Sequence, residues 1–339
     1  MRQFFLLAVG FSATMAIADE AACIQGNCVD GVGTFVYAGD TAGGRYEGHW
    51  KNGKRHGKGV FQTADGSRYQ GAWRDDVRHG RGTFNHPAGL TYKGLWEGDM
   101  PHGKGKSSDA DGDRYSGTWR LGRRDGQGTV NYAHGGRYKG GWVAGQRSGY
   151  GKVTYPQGHR YEGQWQDDLP NGAGVQRYAD GSRYNGQWKN GKRDGTGKML
   201  FVNGVRHEGT WKNDLRHGEV VVYFTDGDRF VGQFANDERN GLGMYYFVNG
   251  DRYSGDYEDH RKHGTGTYFY ADGERYVGEY VTGLKHGEGT YYFKDGSRYE
   301  GKWKNNKPNG EGTIYDPDGV AREGLWHDGE PLLLGRIAQ

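Results

Sequence analysis

Apolar residues are scarce in this chain of 339 residues. Only 33% of the residues are hydrophobic, and the mean hydropathy is −0.99. This composition excludes the thick aliphatic core that an ordinary domain of such length would contain. Aromatic residues nevertheless make up 14% of the chain, which argues against an intrinsically disordered protein. The aromatic side chains must therefore be buried in thin layers.

Neither sign of charge predominates. The 45 lysine and arginine residues nearly balance the 42 aspartate and glutamate residues, which leaves a net charge of +3. The charges are interspersed along the chain, whereas a nucleic-acid-binding protein carries a basic patch or stripe. We therefore expect a solvated surface and no nucleic acid among the partners.

Long apolar runs are absent except near the N-terminus. Arg2 precedes the apolar segment Phe4–Ala18, which ends in Ala16-Ile17-Ala18. A short positive region, an apolar stretch and an A-x-A site are typical of a secretory signal peptide, whereas a transmembrane helix needs about 20 apolar residues. We expect removal of residues 1–18, which would leave a mature chain from Asp19 that is secreted or periplasmic, in the style of a bacterial envelope protein.

Cysteine occurs only twice, at Cys23 and Cys28, in the short segment 19–30 that follows the predicted cleavage site. In an oxidising compartment the two thiols are expected to form a local disulfide. The alternative is lipid attachment to Cys23, because Ala21-Ala22-Cys23 resembles the end of a lipoprotein signal, although Glu20 stands where a leucine-like residue is expected. Two cysteines without nearby partners are a weak metal site, and we predict no metal.

Glycine is abundant, with 65 residues, and its positions follow a repeat. The phrase aromatic-x-Gly-x-aromatic returns every 23 residues without an insertion, so that residues 31–335 form one array, followed by a tail at 336–339. Positions within a copy are numbered here from the first residue of that phrase. The thirteen copies begin at Tyr46, Tyr69, Tyr92, Tyr115, Tyr138, Tyr161, Tyr184, His207, Phe230, Tyr253, Tyr276, Tyr299 and Arg322.

Glycine and aromatic residues hold fixed positions in the copies. Position 3 is glycine and position 5 is Trp, Tyr or Phe in all thirteen, and position 5 takes all 10 tryptophans of the chain. Positions 12 and 21 are glycine in all twelve complete copies, and position 14 is glycine in all of them except one, where Val220 stands. The period-2 alternation predicts one strand at positions 1–5 and a second strand from position 12.

Each copy is therefore predicted to be a β-hairpin. A polar loop such as KNGKRH (residues 51–56) would join its two strands. The Asp-Gly or Asn-Gly pair at positions 20 and 21 would form the tight turn to the next copy. Consecutive hairpins would then pair edge to edge as an antiparallel meander.

A single-layered sheet has no second layer to cover its rings, which accounts for glycine inside the predicted strands. Without a Cβ at positions 3, 12 and 14, aromatic rings can lie in troughs across neighbouring strands. Burial of a large aromatic side chain contributes about 1.5–3 kcal/mol, which exceeds a loss of about 0.5–1 kcal/mol per strand glycine. The predicted structural aromatic residues are Tyr46, Trp50, Tyr69, Trp73, Tyr92, Trp96, Tyr115, Trp119, Tyr138, Trp142, Tyr161, Trp165, Tyr184, Trp188, Trp211, Tyr253, Tyr276, Tyr299, Trp303 and Trp326.

The phrase YEGxWxNGxxHGxGxxxYxDGxR resembles the MORN repeat, and the resemblance covers residues 31–335. It implies an all-β fold: an elongated, twisted, single-layer antiparallel meander of about thirteen 23-residue hairpins. MORN arrays occur as accessory modules in junction-forming membrane proteins, lipid kinases, a lysine methyltransferase and cytoskeletal scaffolds. The resemblance therefore implies binding or scaffolding rather than catalysis, with lipid contact and homodimers as further features of the family. The secretory signal is a departure from its best-known members.

Two polar ladders recur with the same period. For histidine at position 11 we favour loop chemistry over a metal site or a pH sensor, because consecutive copies lie two strands or about 10 Å apart and cannot share a zinc ion. Arginine at position 23 is expected to form an ion pair with position 20, and the alternative is a row of cations for phosphate or carboxylate groups. These residues are His56, His79, His102, His217, His263 and His286, and Arg68, Arg114, Arg137, Arg160, Arg183, Arg206, Arg229, Arg252, Arg275 and Arg298.

Signals of catalysis are missing from the sequence. It contains no Ser/His/Asp set, nucleophile elbow or phosphate-binding loop, and its carboxylates recur with the turns as scaffold residues do. We therefore predict no catalytic residue, no cofactor and no enzyme activity.

Departures from the pattern mark the most informative segment, Val220–Phe293. Three position-5 tryptophans are replaced there by Phe234, Tyr257 and Tyr280, and the second strands become richer in aromatic residues. One interpretation is drift of the repeat, and the other is a partner-binding or self-associating surface. The candidate binding surface comprises Tyr245, Tyr246, Tyr268, Tyr270, Tyr291 and Phe293.

The sequence thus predicts a non-enzymatic scaffold of the cell envelope that binds a protein partner, with a homodimer as one arrangement. The alternative is a module that binds glycans or membrane phospholipid headgroups through exposed Tyr and Trp rings and arginines. An accessory part of an enzyme complex is a third hypothesis.

Overall fold

The structure is a computed structural model that describes residues 21–38 and 43–336. The predicted signal peptide at 1–18 and residues 337–339 of the predicted tail lie outside the described residues. The described residues form twenty-eight β-strands and no helix. This part of the chain accordingly has no helix that could cross a membrane.

The chain divides between Leu169 and Pro170 into two compact units. The first contains β1 (Ala22–Gly26), β2 (Gly31–Tyr37), β3 (Gly44–Lys51), β4 (Lys54–Thr63), β5 (Arg68–Arg74), β6 (Val77–Asn85), β7 (Thr91–Glu97), β8 (Met100–Ser108), β9 (Arg114–Arg120), β10 (Arg123–Asn131), β11 (Arg137–Val143), β12 (Gln146–Thr154) and β13 (Arg160–Gln166). The second contains β14 (Leu169–Arg177, from the boundary onward), β15 (Arg183–Lys189), β16 (Lys192–Leu200), β17 (Arg206–Lys212), β18 (Leu215–Tyr223), β19 (Arg229–Ala235), β20 (Glu238–Tyr246), β21 (Arg252–Glu258), β22 (Arg261–Phe269), β23 (Arg275–Val281), β24 (Leu284–Tyr292), β25 (Arg298–Lys304), β26 (Lys307–Tyr315), β27 (Ala321–His327) and β28 (Glu330–Arg336).

Within each unit, every strand pairs antiparallel with the next strand along the chain. The predicted all-β, single-layer antiparallel meander of hairpins is therefore confirmed for each unit. One face of the layer carries positions 1, 3, 5, 14 and 16 of the copies and is called the core face. The other carries positions 2, 4, 15, 17 and 23 and is called the back face.

A second tight turn lies inside each copy, where the prediction of a polar loop is wrong, and the predicted Asp-Gly turn between copies also forms. Strands β3 and β4 are joined by Asn52-Gly53 alone, and both residues have positive φ, 51° and 69°. Such a pair is a type I′ hairpin turn. Residues 54–56, predicted as loop, belong to β4. Between copies, residues 64–67 form a longer link in which Gly66 N–H donates to the carbonyl of Thr63 at 3.0 Å.

The glycine at position 12 serves the backbone, and its predicted role as a trough for rings is also wrong. Opposite β3, the register passes from Trp50↔Arg55 to Gly48↔Gly59, so that β4 carries two extra residues in a bulge. Gly57 lies in this bulge with a φ of 63°. Only a residue that accepts a left-handed backbone fits there.

Glycines at positions 3 and 14 do form a seat for an aromatic ring. A Cβ on Gly59 would lie 2.5 Å from Cε2 of Tyr46, and one on Gly48 would lie 2.6 Å from its hydroxyl oxygen. The same ring covers both glycines because β3 and β4 pair Gly48 with Gly59. Its hydroxyl donates to the carbonyl of His49 at 3.0 Å, which satisfies the polar end of the ring.

The rings of positions 1 and 5 form the core of each unit. Tyr46 meets Trp50 edge to face at 5.0 Å and meets Trp73 of the next copy at 5.5 Å, with interplanar angles near 90°. The pattern repeats from copy to copy, and such pairs contribute about 0.5–1.5 kcal/mol beyond burial. All twenty predicted structural aromatic residues are buried, together with Phe230, Phe234, Tyr257 and Tyr280, which replace them in the second unit.

The eighth copy fills the same seat differently. His207 stands at position 1 and Val220 at position 14, and Val220 is 1% exposed. The valine side chain covers Gly209, because a Cβ there would lie 3.0 Å from Cγ2 of Val220. Burial of the imidazole lowers the pKa of His207 to about 4. The imidazole of His207 is smaller than a tyrosine ring, and the side chain of Val220 fills the space that a tyrosine ring occupies in the other copies.

A disulfide occupies the first seat of the array. The structure joins Cys23 to Cys28, and a Cβ on Gly33, the position-14 equivalent of the leading half-copy, would lie 2.8 Å from Sγ of Cys28. The disulfide thus covers the glycine that a tyrosine ring would cover elsewhere. Lipid attachment to Cys23 would need this bond to be broken, since both use the same sulfur.

Candidate binding surfaces

A row of arginines at position 10 covers the tryptophans on the core face. The guanidinium carbon of Arg55 lies 4.3 Å from the ring centroid of Trp73, and its Nε donates to Oδ1 of Asp76 at 3.1 Å. This row was not predicted from the sequence, although arginine at position 10 and aspartate at position 8 of the next copy recur 21 residues apart. The equivalent pairs are Arg78–Asp99, Arg147–Asp168, Arg193–Asp214 and Arg216–Asp237.

These arginines act as a partial second layer for the core. Stacking on the ring removes apolar surface from water, and the aspartate compensates the charge. The guanidinium group also donates to the aspartate carbonyl, as Arg55 does to Asp76 at 2.8 Å, so that two hydrogen bonds to the same aspartate hold it over the ring. The five arginines that pair with an aspartate therefore serve the structure and are not free cations for a ligand.

Lysine replaces arginine at position 10 in two copies of the second unit. The ammonium of Lys285 lies 4.9 Å from the ring of Tyr276 and 5.1 Å from that of Trp303, and it donates to the hydroxyl of Tyr270 at 2.8 Å. At position 8 of the next copy, where an aspartate would compensate the charge of Lys285, this chain has Asn306. Burial, with a smaller effect of Lys262, lowers the pKa of Lys285 to about 8. Burial also lowers the pKa of Lys262.

Five of the six predicted surface residues lie together beside the core of the second unit. The residues at positions 16 and 18 alternate in a continuous line, which we call the second aromatic row. Neighbouring rings in it are 4.4–5.8 Å apart. The row consists of Phe224, Tyr245, Phe247, Tyr268, Tyr270, Tyr291 and Phe293.

Carboxylates of the preceding copy fix the tyrosines of this row. Tyr245 donates to Asp228 and Tyr268 donates to Asp251, both at 2.7 Å, and Tyr291 donates to Glu274. Burial, with the neighbouring carboxylate, raises the pKa of each of these tyrosines. The rings remain half-buried, and Phe293 is 37% exposed. The row is therefore a rigid, partly exposed apolar surface.

The sixth predicted residue, Tyr246, lies on the back face at position 17. Arg229, at position 23, stacks on its ring with the guanidinium carbon 4.3 Å from the centroid. The predicted ion pairs between positions 23 and 20 do not form among the described residues. Instead, two arginines at position 23 pair with position 2 of the next copy: Arg206 with Glu208 at 3.1 Å and Arg298 with Glu300 at 2.6 Å. The turn carboxylates bind their own turns, as Asp65 does by accepting from Ser67 N–H at 2.9 Å.

The histidines at position 11 lie in the second strands. His56 approaches Asp75 at 3.4 Å and His102 approaches Glu97 at 3.2 Å. Among the described residues, no three His, Cys, Asp or Glu side chains come together in a group that could hold a metal ion.

These features define a class, the single-layer β-repeat proteins, in which each hairpin gains its core from its neighbours. The chain belongs to the MORN-repeat family. The family model for the MORN repeat matches twelve consecutive segments: residues 46–68, 69–91, 92–114, 115–137, 138–160, 161–183, 184–206, 207–229, 230–252, 253–275, 276–298 and 299–320. The truncated thirteenth copy follows as strands β27 and β28. Membership of this family indicates a repeat-based binding or scaffold protein.

No curated protein matches the sequence. Among solved structures, the chain is similar to the TCP domain of SAS-4 (dCPAP) from Drosophila melanogaster, in complex with a proline-rich motif of Ana2 (dSTIL), with 16% identity over 59% of this chain and 90% of that chain and a TM-score of 0.29. The wild-type TCP10 domain of Danio rerio CPAP shows 14% identity over 75% and 99% of the two chains, with a TM-score of 0.22. At TM-scores this low, the likenesses carry no argument about fold or function.

Proposed function

We propose that the chain is a non-enzymatic scaffold of the cell envelope that binds a protein partner along the core face of its second unit. The observation that carries the proposal is the second aromatic row. Partly exposed tyrosine and phenylalanine rings are the side chains that anchor protein interfaces. In this row they form a continuous line over four consecutive copies.

The fold does not require such a row. In the first unit, positions 16 and 18 include Ser107 and Asp109, and the strands pair in the same way. The aromatic enrichment is therefore an addition to the scaffold. The hydrogen bonds of Tyr245, Tyr268 and Tyr291 hold the rings before a partner arrives, which lowers the entropy lost on binding.

The envelope location rests on the predicted signal peptide at 1–18 and on the disulfide. A cysteine pair joined within a short N-terminal segment suits an oxidising compartment. Intact mass spectrometry of the secreted chain tests this: we expect a mature protein from Asp19 with the disulfide formed. A mass that includes an acyl chain would favour the lipoprotein alternative.

The hypothesis of glycan or phospholipid binding depended partly on exposed tryptophans. All ten tryptophans are buried, between 2% and 8% exposed, so that none offers an open ring face to a sugar or a headgroup. A protein partner makes better use of the half-buried tyrosines.

The test replaces the outer rings of the second aromatic row. Phe247→Thr, Tyr270→Thr and Phe293→Thr remove three rings at position 18, where the first copy carries Thr63. The control, Tyr132→Thr with Tyr155→Thr, makes the same change in the first unit. Cross-linking in the native envelope is followed by binding measurements with the purified partner.

We expect the wild-type chain and the control to capture the same protein, and the triple variant to bind it at least about tenfold more weakly, since anchor residues contribute about 2 kcal/mol or more. Equal binding by the triple variant would refute the proposal. Recovery of the chain itself would identify a homodimer, to be measured by analytical ultracentrifugation. Flotation with anionic vesicles that depends on the same rings would favour the phospholipid alternative.

A further inference from the structure

The back face of the second unit carries a second ordered surface, which we call the Arg–aromatic ladder. Positions 23 and 17 face each other across every strand pair, as in Tyr223↔Arg229 and Arg229↔Tyr246. Each arginine stacks on one ring, with its guanidinium carbon 3.7–4.3 Å from the centroid. The ladder consists of Arg206, Tyr223, Arg229, Tyr246, Arg252, Phe269, Arg275, Tyr292, Arg298 and Tyr315.

Folding does not require the ladder. Position 17 of the first unit carries small or amide side chains, such as Asn85, Ser108 and Asn131, and the strands pair in the same register. In the second unit, five consecutive copies carry a ring there. The rings are half-buried, and the back face adds partly exposed apolar neighbours, Met244 at 38% and Val277 at 40%.

The central arginines of the ladder are not neutralised. At its two ends, Arg206 pairs with Glu208 at 3.1 Å and Arg298 pairs with Glu300 at 2.6 Å. The corresponding position-2 neighbours of Arg229, Arg252 and Arg275 are valine, serine and valine. Among the described residues, these three guanidinium groups have no carboxylate within ion-pair distance. Charge complementarity therefore calls for an anionic partner, and planar guanidinium groups bind carboxylates in bidentate fashion.

The spacing of these cations selects among anionic chains. Successive arginines lie two strands apart, about 9.4–9.8 Å. A polyproline II helix rises about 3.1 Å per residue with three residues per turn, so that every third residue lies on one side at intervals of about 9.3 Å. In an extended β-strand, side chains on the same face recur at intervals of about 6.6–6.8 Å. Of these two conformations, only the polyproline II helix has an interval that matches the spacing of the arginines.

We propose that the Arg–aromatic ladder binds an acidic, proline-rich segment of a partner protein in the polyproline II conformation. The segment lies across the strands. A carboxylate on every third residue binds Arg229, Arg252 and Arg275 in turn, and prolines pack against the intervening rings and Met244. Proline-rich segments bind surfaces lined by aromatic rings with little loss of entropy.

The ladder lies on the face opposite the second aromatic row, so the two proposals can fail separately. The test uses the mature chain and two labelled peptides of equal length and composition, measured by fluorescence anisotropy. In one peptide, glutamate alternates with two prolines. In the other peptide, the same number of glutamates is placed irregularly: some are four residues apart and the rest are adjacent. We expect the first peptide to bind at least about tenfold more tightly, because only its carboxylates reach successive arginines.

A charge variant and a matched control locate the site. Arg229→Gln, Arg252→Gln and Arg275→Gln together should weaken binding of the first peptide at least about tenfold. Arg114→Gln, Arg137→Gln and Arg160→Gln remove three position-23 cations in the first unit, where no ring accompanies them, and should leave affinity unchanged. Circular dichroism and thermal unfolding establish that both variants fold.

A ring variant provides a second route. Tyr246→Asn, Phe269→Asn and Tyr292→Asn introduce the residue that position 17 already carries in Asn85 and Asn131, and they should weaken binding as strongly. Equal affinity for the two peptides, or unchanged affinity of both variants, would overturn the proposal. So would displacement of the peptide by an acidic polysaccharide that binds the ladder more tightly, which would make it a glycan site.

Discussion

A tyrosine ring seated on two glycines is the smallest unit of stability in this protein. The ring needs both glycines, because a Cβ at either would lie within 2.6 Å of its atoms. The eighth copy shows that the seat can be filled in another way, with His207 and Val220 in place of tyrosine and glycine. Position 1 and position 14 are therefore energetically coupled, and neither can be changed alone.

The coupling predicts a double-mutant cycle with a large interaction term. His207→Tyr alone should destabilise the chain by about 1–3 kcal/mol, because the larger ring meets Val220. Val220→Gly alone should cost about 2–4 kcal/mol through lost burial and a freer backbone. The double variant restores the seat of the other copies and should be close to the wild type in urea unfolding. Additive losses in the double variant would contradict the coupling.

The buried ammonium of Lys285 predicts a pH dependence of stability. The pKa of Lys285 is about 8 in the folded chain and 10.5 ordinarily. Between these values the unfolded chain binds more protons, so the free energy of unfolding should rise with pH from about 8 to 10.5. Lys285→Met should lose the part of this rise that Lys285 contributes and keep the part from Lys262, and Asn306→Asp should reduce it by supplying the missing carboxylate. Identical slopes in urea unfolding of all three proteins would contradict the assignment. Tyrosines that titrate at higher pH are common to all three and cancel in the comparison.

At the scale of the element, the type I′ turn inside each copy sets the hairpin. Both of its residues need positive φ, which Asn, Asp and Gly accept at low cost. Most copies carry these residues at positions 7 and 8. Leu121 and Thr282 are exceptions, each with a φ of 49°. A β-branched or bulky side chain in this region stores about 1–2 kcal/mol of strain.

Removal of that strain should stabilise the hairpins. Thr282→Asn and Leu121→Asn are each expected to raise the free energy of unfolding by about 1 kcal/mol, since both side chains are exposed and lose few contacts. The reciprocal change Asn213→Thr, at a φ of 50°, should lower it by a similar amount. Thermal and urea unfolding of the three variants measure the effect. Stabilisation by Asn213→Thr would show that backbone strain at position 7 is unimportant.

The hairpins and their buried rings could be predicted from the sequence because period-2 alternation identifies both. The tight turn inside the copy could not, since Asn52-Gly53 stands in a polar segment that equally suits a longer loop. One signal was available: Asn or Asp fills both turn positions at Asn305-Asn306, as only a type I′ turn requires. Without this turn Arg55 was predicted to lie in a loop, and the arginines that cover the tryptophans were missed for that reason.

The six residues of the predicted surface are divided between the two faces of the sheet for a physical reason. Aromatic enrichment can be counted in a sequence, but the faces on which the rings lie depend on the strand register. Tyr245 and Tyr246 are neighbours in the chain and lie on opposite faces of the sheet. The stacking of Arg229 on Tyr246 joins residues 17 positions apart, and it follows from the pairing of β19 with β20. Counting within one copy could not reveal it.

At the scale of the whole molecule, each hairpin within a unit obtains its core from the neighbouring copies of that unit. A chain of this kind is stabilised by nearest-neighbour terms, and its ends need caps. At the N-terminus the disulfide supplies the cap: it covers Gly33, whose carbonyl accepts the indole N–H of Trp50 at 3.1 Å. Loss of the cap should therefore weaken nearby copies and leave remote ones unchanged.

Hydrogen exchange tests this in the full mature chain. Cys23→Ser with Cys28→Ser should speed amide exchange in β1 to β3 about tenfold or more, equivalent to about 1.4 kcal/mol of local stability. The effect should fade along the following copies, and amides from β15 onward should exchange as in the wild type. Reduction of the wild-type disulfide should reproduce the pattern. Uniformly faster exchange in both units would mean that the chain unfolds as one cooperative block, which nearest-neighbour stabilisation does not allow.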